Sequence, residues 1–354
     1  MKRESNIELL RIVAMLLVVL VHTNYFSLGG VESVDIQTNM FGAFVKAFAE
    51  QLCLICVNVF ILISGWFGIR ANMKGALSFI FQAIFYHILI IIFFYSIGES
   101  IPLDTAFWGF YFGVLYWFVP AYLLLYAISP ALNAFIKHSS TRLYLNVLLL
   151  FFALEFALGW IGNFASIDGG YSTISFIGLY LLAGFLRKHY SKIQNISIGK
   201  NFLLYILFTL MPVVMFMMTG RGLGMLKYSS PFVVLASVFF FLTFCKMKLS
   251  NKTVNYIACS AFSVYLIHLH PMVAPHFKSL MNWAYDLFGG VLYMLLVVLF
   301  AIIFLIACAL LDKIRIFVWN WICKVFLNPC LNQMNKILNR IFTYIGFDYL
   351  ENKM

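Results

Sequence analysis

Residues 8–24 read ELLRIVAMLLVVLVHTN, and the fold class follows from them. Ten apolar residues in succession separate Arg11 from His22. With its flanks, the window 7–26 reaches the about 20 residues that carry a helix across a bilayer. The chain opens on Met1-Lys2-Arg3, which imitates a secretory signal. Glu8 and Arg11 interrupt the apolar stretch, the run is long, and no A-x-A cleavage pattern follows. The segment therefore reads as a first helix that stays in the membrane.

The rest of the chain repeats the pattern. Of 354 residues, 63% are hydrophobic and 10% charged, with mean hydropathy +0.95. One soluble core cannot hide that much apolar surface, whereas lipid acts as solvent for the outside of a helix bundle. The 39 Phe suit lipid-facing and interfacial positions. The net charge of +11 would suggest nucleic acid in a soluble protein. Here the basic residues sit in short loops between apolar runs, which is the pattern of membrane orientation, so no nucleic-acid partner is expected.

Ten windows qualify as spans: 7–26, 51–69, 76–97, 115–135, 143–162, 174–187, 202–219, 229–245, 256–274 and 288–311. The sixth is short, and the ninth carries Pro271, with Pro275 just beyond it, so both are expected to be tilted or broken. With the N-terminus inside, Lys46, Arg221, Lys227 and Lys278 fall outside and Arg11 lies within a span; the other 19 of the 24 basic residues are cytoplasmic. The expectation is an all-α, polytopic transmembrane bundle of about ten spans with both ends in the cytoplasm.

Three stretches need separate readings. FWGFYFGVLYWF, 107–118, is too long to join the fourth span, and its first half reads as an interfacial or re-entrant segment. Beyond Pro329, Leu331, Met334, Leu338, Ile341, Phe342 and Ile345 recur at helical spacing, as in an amphipathic helix lying on the cytoplasmic leaflet. This divides the chain into a transmembrane domain, 1–311, and an interfacial tail, 312–354. Among the seven cysteines only Cys53 and Cys56 have a motif-like spacing, and no second pair completes a metal site; they read as packing residues.

Ionisable groups inside spans are expensive and point to function. Glu8 and Arg11, three residues apart, pair on one helix face. His22 follows Arg11 by eleven residues, which at 100° per residue is three turns and about 20°, so both face the same way, about 16 Å apart along the axis. Taken singly, Arg11 also reads as a cation snorkelling to headgroups and His22 as a core hydrogen bonder.

On these residues the chain resembles the acyltransferase 3 family of membrane O-acyltransferases. The family's mark is Arg, ten residues and His on the first helix, here Arg11 and His22. FILISG (60–65), YWFVPAYLLLYAISPALN (116–133) and FSVYLIHLHP (262–271) are similar to the family as well. The resemblance implies that His22 is the catalytic histidine, as general base or acyl carrier. It implies that Arg11 helps bind the donor, a coenzyme A thioester such as acetyl-CoA. Many members carry Arg-x-x-Arg at the start of the third helix; this chain has Arg70 and Lys74, so cationic help for the donor is expected but the motif is not kept.

Further residues are candidates for lining the site. His268 and His270 stand about 200° apart on a regular helix, so they share a site only if Pro271 breaks it. His268 reads as site-lining, His270 as interfacial and His87 as a core hydrogen bonder. Glu155 is either protonated and hydrogen-bonded or paired with a cation or His22. Trp117, Tyr122 and Tyr126 offer rings for sugar stacking, or plain packing. Ser64 beside Gly65 suggests close helix contact. Arg221 is an outer-loop cation, either solvated or touching an acidic glycan.

The expected function is transfer of an acetyl or similar short acyl group from coenzyme A to a hydroxyl of a cell-surface or lipid-linked glycan, in the cell's inner, cytoplasmic membrane. The rival is a glycan or lipid-linked glycan transporter or flippase, which intramembrane charge and aromatics would also serve; the lack of a visible inverted repeat counts against it. A non-enzymatic scaffold leaves Arg11 and His22 on one face without a purpose.

Overall fold

The computed structural model describes residues 4–108, 116–162, 164–221 and 227–345. These residues form helices and no strand. The first half comprises α1 (Ser5–Val21), α2 (Ser33–Thr38), α3 (Met40–Cys53), α4 (Cys56–Phe67), α5 (Met73–Ser96), α6 (Leu103–Trp108), α7 (Phe118–His138) and α8 (Thr141–Glu155). Then come α9 (Thr173–Lys188), α10 (Tyr190–Ile193), α11 (Ile198–Thr219), α12 (Pro231–Cys245) and α13 (Lys252–Ala258). The chain continues through α14 (Ala261–His268), α15 (Ala274–Phe288), α16 (Gly290–Ile322) and α17 (Asn328–Ile345).

Local chemistry sets many of the starts. Asn39, Asn72, Ser140, Ser172, Ser197 and Asn251 each accept a first-turn N–H with the side chain, opening α3, α5, α8, α9, α11 and α13. These short polar residues stand between apolar runs, so the helices begin where the hydropathy changes.

Seven helices are long and apolar enough to cross a membrane: Ser5–Phe26, Met40–Phe67, Met73–Ser96, Phe118–His138, Thr141–Ile161, Ile198–Thr219 and Gly290–Met334. They cover seven of the ten expected windows. Window 174–187 holds α9, of 16 residues, and window 229–245 holds α12, of 15 residues. Window 256–274 is broken: α13 ends before Cys259, and α14 ends at His268, three residues ahead of Pro271. The second span starts earlier than expected because α3 and α4 run nearly end to end through a turn at Leu54–Ile55. Of the aromatic segment 107–118, residues 109–115 lie outside the described residues; Tyr116 is buried.

The core is organised around α1. Leu10, Ala14 and Val19 are fully buried, and α1 packs against α3, α4, α12, α13, α14 and α16. Asn6 Nδ2 donates to Phe244 O, 3.0 Å away, so the start of α1 meets the end of α12 and the two helices run antiparallel. Helix α4 lies against α9 at close range: a Cβ on Gly65 would sit 2.3 Å from Tyr180 O. That contact supports the close-packing reading of the Ser64-Gly65 pair.

At its far end α1 widens into a π-helical turn, His22–Phe26. Ser27 Oγ donates to His22 O (2.7 Å) and Tyr293 OH to Thr23 O (2.6 Å). These hydroxyls satisfy carbonyls that the altered pitch displaces from the regular ladder.

Helix α16 runs unbroken through the expected boundary at 311–312 to Ile322, about 50 Å at 1.5 Å per residue. A π turn, Cys323–Leu327, leads directly into α17, and Pro329, two residues past that turn, has no N–H to give the continuing helix. Arg315, counted with the C-terminal cations, is 6% exposed and forks onto Asp312, with Nε–Oδ1 2.6 Å and NH2–Oδ2 3.0 Å. Tyr86 OH donates to the same carboxylate at 2.7 Å. The i, i+3 spacing on a continuous helix makes this pair possible, and α5 covers it.

Candidate active site

A cavity of about 530 Å³ lies along α1. Arg11, Met15, Val18, His22 and Tyr25 form one wall, a stripe at i, i+4, i+7, i+11 and i+14. Facing walls come from Phe60 and Ser64 on α4, Phe79 and Gln82 on α5, Phe118 and Tyr122 on α7, and Phe262 and Tyr265 on α14, with Trp117 just ahead of α7. The walls are mainly apolar and aromatic, with few polar groups, as ligand sites commonly are. Arg11 and His22 thus border a single space, as their spacing in the sequence predicts.

Hydrogen bonds assign the protons on His22. His268 Nδ1 lies 2.6 Å from Val264 O, and a carbonyl only accepts, so Nδ1 carries the hydrogen. Neutral His268 then presents a bare Nε2, 3.1 Å from His22 Nδ1. His22 Nδ1 must donate, and the lone pair of neutral His22 is left on Nε2, on the ring that borders the cavity. The His22 ring also hydrogen-bonds to the Val18 backbone, one turn back on α1.

A second histidine pair in the same fold is closed at both ends. Met272 N–H donates to His270 Nδ1 (3.2 Å), so His270 Nε2 donates to His87 Nδ1 (3.0 Å) and His87 Nε2 to Ala106 O (2.9 Å). This corrects the interfacial reading of His270, which is fully buried. The break after His268 allows it: the two imidazoles leave the chain in different directions and each finds a partner on another helix. His87 is the core hydrogen bonder its sequence position predicts.

Arg11 NH1 is 3.0 and 3.2 Å from the two oxygens of Glu8. One nitrogen serves the carboxylate, and among the described residues nothing engages Nε or NH2. Glu8 itself is buried and does not border the cavity. Ser64 Oγ donates to Phe60 O (3.0 Å), so its contact with Tyr122 OH (3.1 Å) has the tyrosine as donor. Ser64 therefore has no free proton to give as a nucleophile.

The remaining candidates fall elsewhere. Trp117 and Tyr122 line the cavity, and His268 stands behind His22. Tyr126 instead bonds the Asn72 backbone, its OH accepting from N at 3.0 Å. Arg70 and Arg221 are exposed, and Lys74 Nζ bonds Asn328 Oδ1 at 3.2 Å; none of the three borders the cavity. Glu155 is 3% exposed and does not border the cavity; Ser175 hydrogen-bonds to its carboxyl, and Oε2 lacks a hydrogen-bond partner. Sequence reasoning passed over Asp168, Tyr171 and Tyr228, which do line the cavity. The signal available was the Asp168-Gly169-Gly170 turn, but nothing local says that it folds back over α1.

A helical, multi-pass membrane protein with an arginine and a histidine on one cavity wall is the class of molecule that fold and site define. The family model described as an acyltransferase domain matches residues 4–324, nearly the whole chain. The chain belongs to the acyltransferase 3 family, and so to the membrane acyltransferases. No curated protein and no solved structure matches it.

Proposed function

We propose that this protein transfers an acetyl or similar short acyl group from a coenzyme A thioester to a hydroxyl of a cell-surface or lipid-linked glycan. The observation that carries this reading is the shared cavity, with a guanidinium at one end and a histidine lone pair about 16 Å away along the same helix. Arg11, with donors to spare, suits the phosphates of coenzyme A, since a guanidinium meets phosphate in a bidentate fork. Arg70 and Lys74, outside the cavity, are left as long-range attraction for the same anion.

In the reaction, His22 Nε2 takes the proton of the acceptor hydroxyl as the oxygen attacks the thioester carbonyl. The carbon–sulfur bond breaks, and the leaving thiolate takes the proton back from His22. His268 Nε2, accepting from His22 Nδ1, steadies the imidazolium between these events and keeps the ring aimed.

The charge tally favours an orientation with both termini in the cytoplasm, where coenzyme A is found, and ten crossings of the inner membrane, counting α9, α12 and the broken α13–α14. Short and broken helices do cross membranes where other helices cover their free backbone groups.

The test is purified protein with labelled acetyl coenzyme A and a panel of glycans. Wild type transfers label, and His22→Ala loses at least about 10²-fold, the usual share of general-base catalysis. Transfer by His22→Ala at the wild-type rate would refute the mechanism. Movement of a glycan across vesicles, with no acyl transfer to any acceptor, would favour a transporter.

A further inference from the structure

Three rings at one end of the cavity have no part in the chemistry above. Trp117 and Tyr171 stand 4.8 Å apart between centroids, Tyr171 and Tyr228 4.7 Å, and Trp117 and Tyr228 6.1 Å. All three border the cavity, and so does Asp168. They sit at the His22 end: α12 runs antiparallel to α1, so Tyr228, just ahead of α12, lies opposite the end that meets Asn6.

The wall is a built feature. Asp168, Gly169 and Gly170 have φ of 45°, 60° and 100° in succession. Gly169 O accepts from Ser229 N at 3.0 Å, and a Cβ on Gly170 would meet that same nitrogen at 2.6 Å. Asn58 Nδ2 holds Tyr228 O from α4 at 3.0 Å. The turn is thereby locked against residues 228–229, which sets Tyr171 beside Tyr228. Asp168 is the one non-glycine with positive φ among the described residues, a conformation that needs support from its surroundings.

Charge divides the cavity in two. Among the described residues that line it, Arg11 is the one cation and Asp168 the one carboxylate. The cationic end suits an anionic donor; the other end carries the Asp168 carboxylate, with the Lys278 ammonium standing behind Phe26, 6.0 Å from its ring centroid.

We propose that Trp117, Tyr171, Tyr228 and Asp168 form the acceptor subsite, and that it selects uncharged sugar rings over acidic ones. This rests on the acyltransferase reading. The rings are packed on one another too closely to enclose a cation between them, so they act as a platform rather than a cage. The apolar C–H face of a pyranose stacks on the platform. Its hydroxyl edge donates to the Asp168 carboxylate, an interaction that an unprotonated uronic or sialic acid carboxylate would oppose.

The experiment compares wild type with Asp168→Asn and Tyr171→Leu, using labelled acetyl coenzyme A and matched acceptors, a neutral glycoside and its uronic acid counterpart. Asn tolerates the positive φ at 168, so the first variant removes the charge and keeps the turn. We expect Asp168→Asn to reduce kcat/KM for the neutral acceptor about tenfold and to narrow the neutral-over-acidic preference by a similar factor. Tyr171→Leu should raise the acceptor KM. Both should leave the donor KM unchanged. Wild-type acceptor KM and selectivity in both variants, with donor kinetics intact, would overturn the subsite and leave the acyltransferase reading standing. Absence of acyl transfer by wild type to either acceptor, or to any in the wider panel, would overturn both.

Discussion

His22 Nδ1 lies 3.1 Å from His268 Nε2, and His268 Nδ1 is fixed in turn on Val264 O. In the proposed reaction His268 acts through His22 as a positioning residue. His268→Ala should reduce kcat on the order of 10²-fold through misplacement of the His22 ring, with the donor KM held. His268→Gln should recover part of the loss, because its amide oxygen can accept from His22 Nδ1. Steady-state kinetics on the two variants decides; wild-type kcat in His268→Ala would dissolve the relay.

Arg11 keeps two guanidinium nitrogens free of Glu8 and borders the cavity. Loss of a charge-assisted contact worth about 1.5–3 kcal/mol should weaken donor binding by roughly 10- to 150-fold in Arg11→Ala. Arg11→Lys should recover only part, since an ammonium lacks the planar fork. Calorimetric titration with coenzyme A reads the affinity directly; an unchanged Kd would remove Arg11 from the donor site.

The closed pair predicts a different phenotype. His87→Ala strands the buried Nε2–H of His270, at a cost of about 1–3 kcal/mol. Its melting temperature in detergent should fall while kcat per folded molecule stays at the wild-type level. A collapse of kcat at unchanged stability would mean that the second pair also serves the chemistry.

Asp312 and Arg315 form a buried ion pair under Tyr86. Asp312→Ala leaves an uncompensated guanidinium and should cost about 3–5 kcal/mol, whereas Asp312→Ala with Arg315→Met should recover most of it. Denaturant unfolding of both variants checks this; equal stability of the single and double variants would show that the charges are not coupled.

The legible parts of the sequence were those governed by local periodicity. Arg11 and His22 share a helix, so their common face follows from 3.6 residues per turn, and both border one cavity. The apolar windows likewise found helices, because twenty apolar residues have few alternatives in lipid. Arg70, Lys74 and Arg221 carried the right charge, but their placement depends on how loops fold, and none of them reached the cavity. His270 was misread because its partner, His87, lies 183 positions away.

What sequence alone determined is the first helix: membrane-spanning by its apolar run, with a cation and a histidine on one stripe. Tertiary structure alone decided what that stripe faces. The proton on His22 is assigned by a carbonyl on α14, and the wall opposite is set by a glycine turn locked onto residues 228–229. A repeat along a helix is a property of the nearest four residues, whereas a hydrogen bond across 246 residues exists only once the bundle has closed.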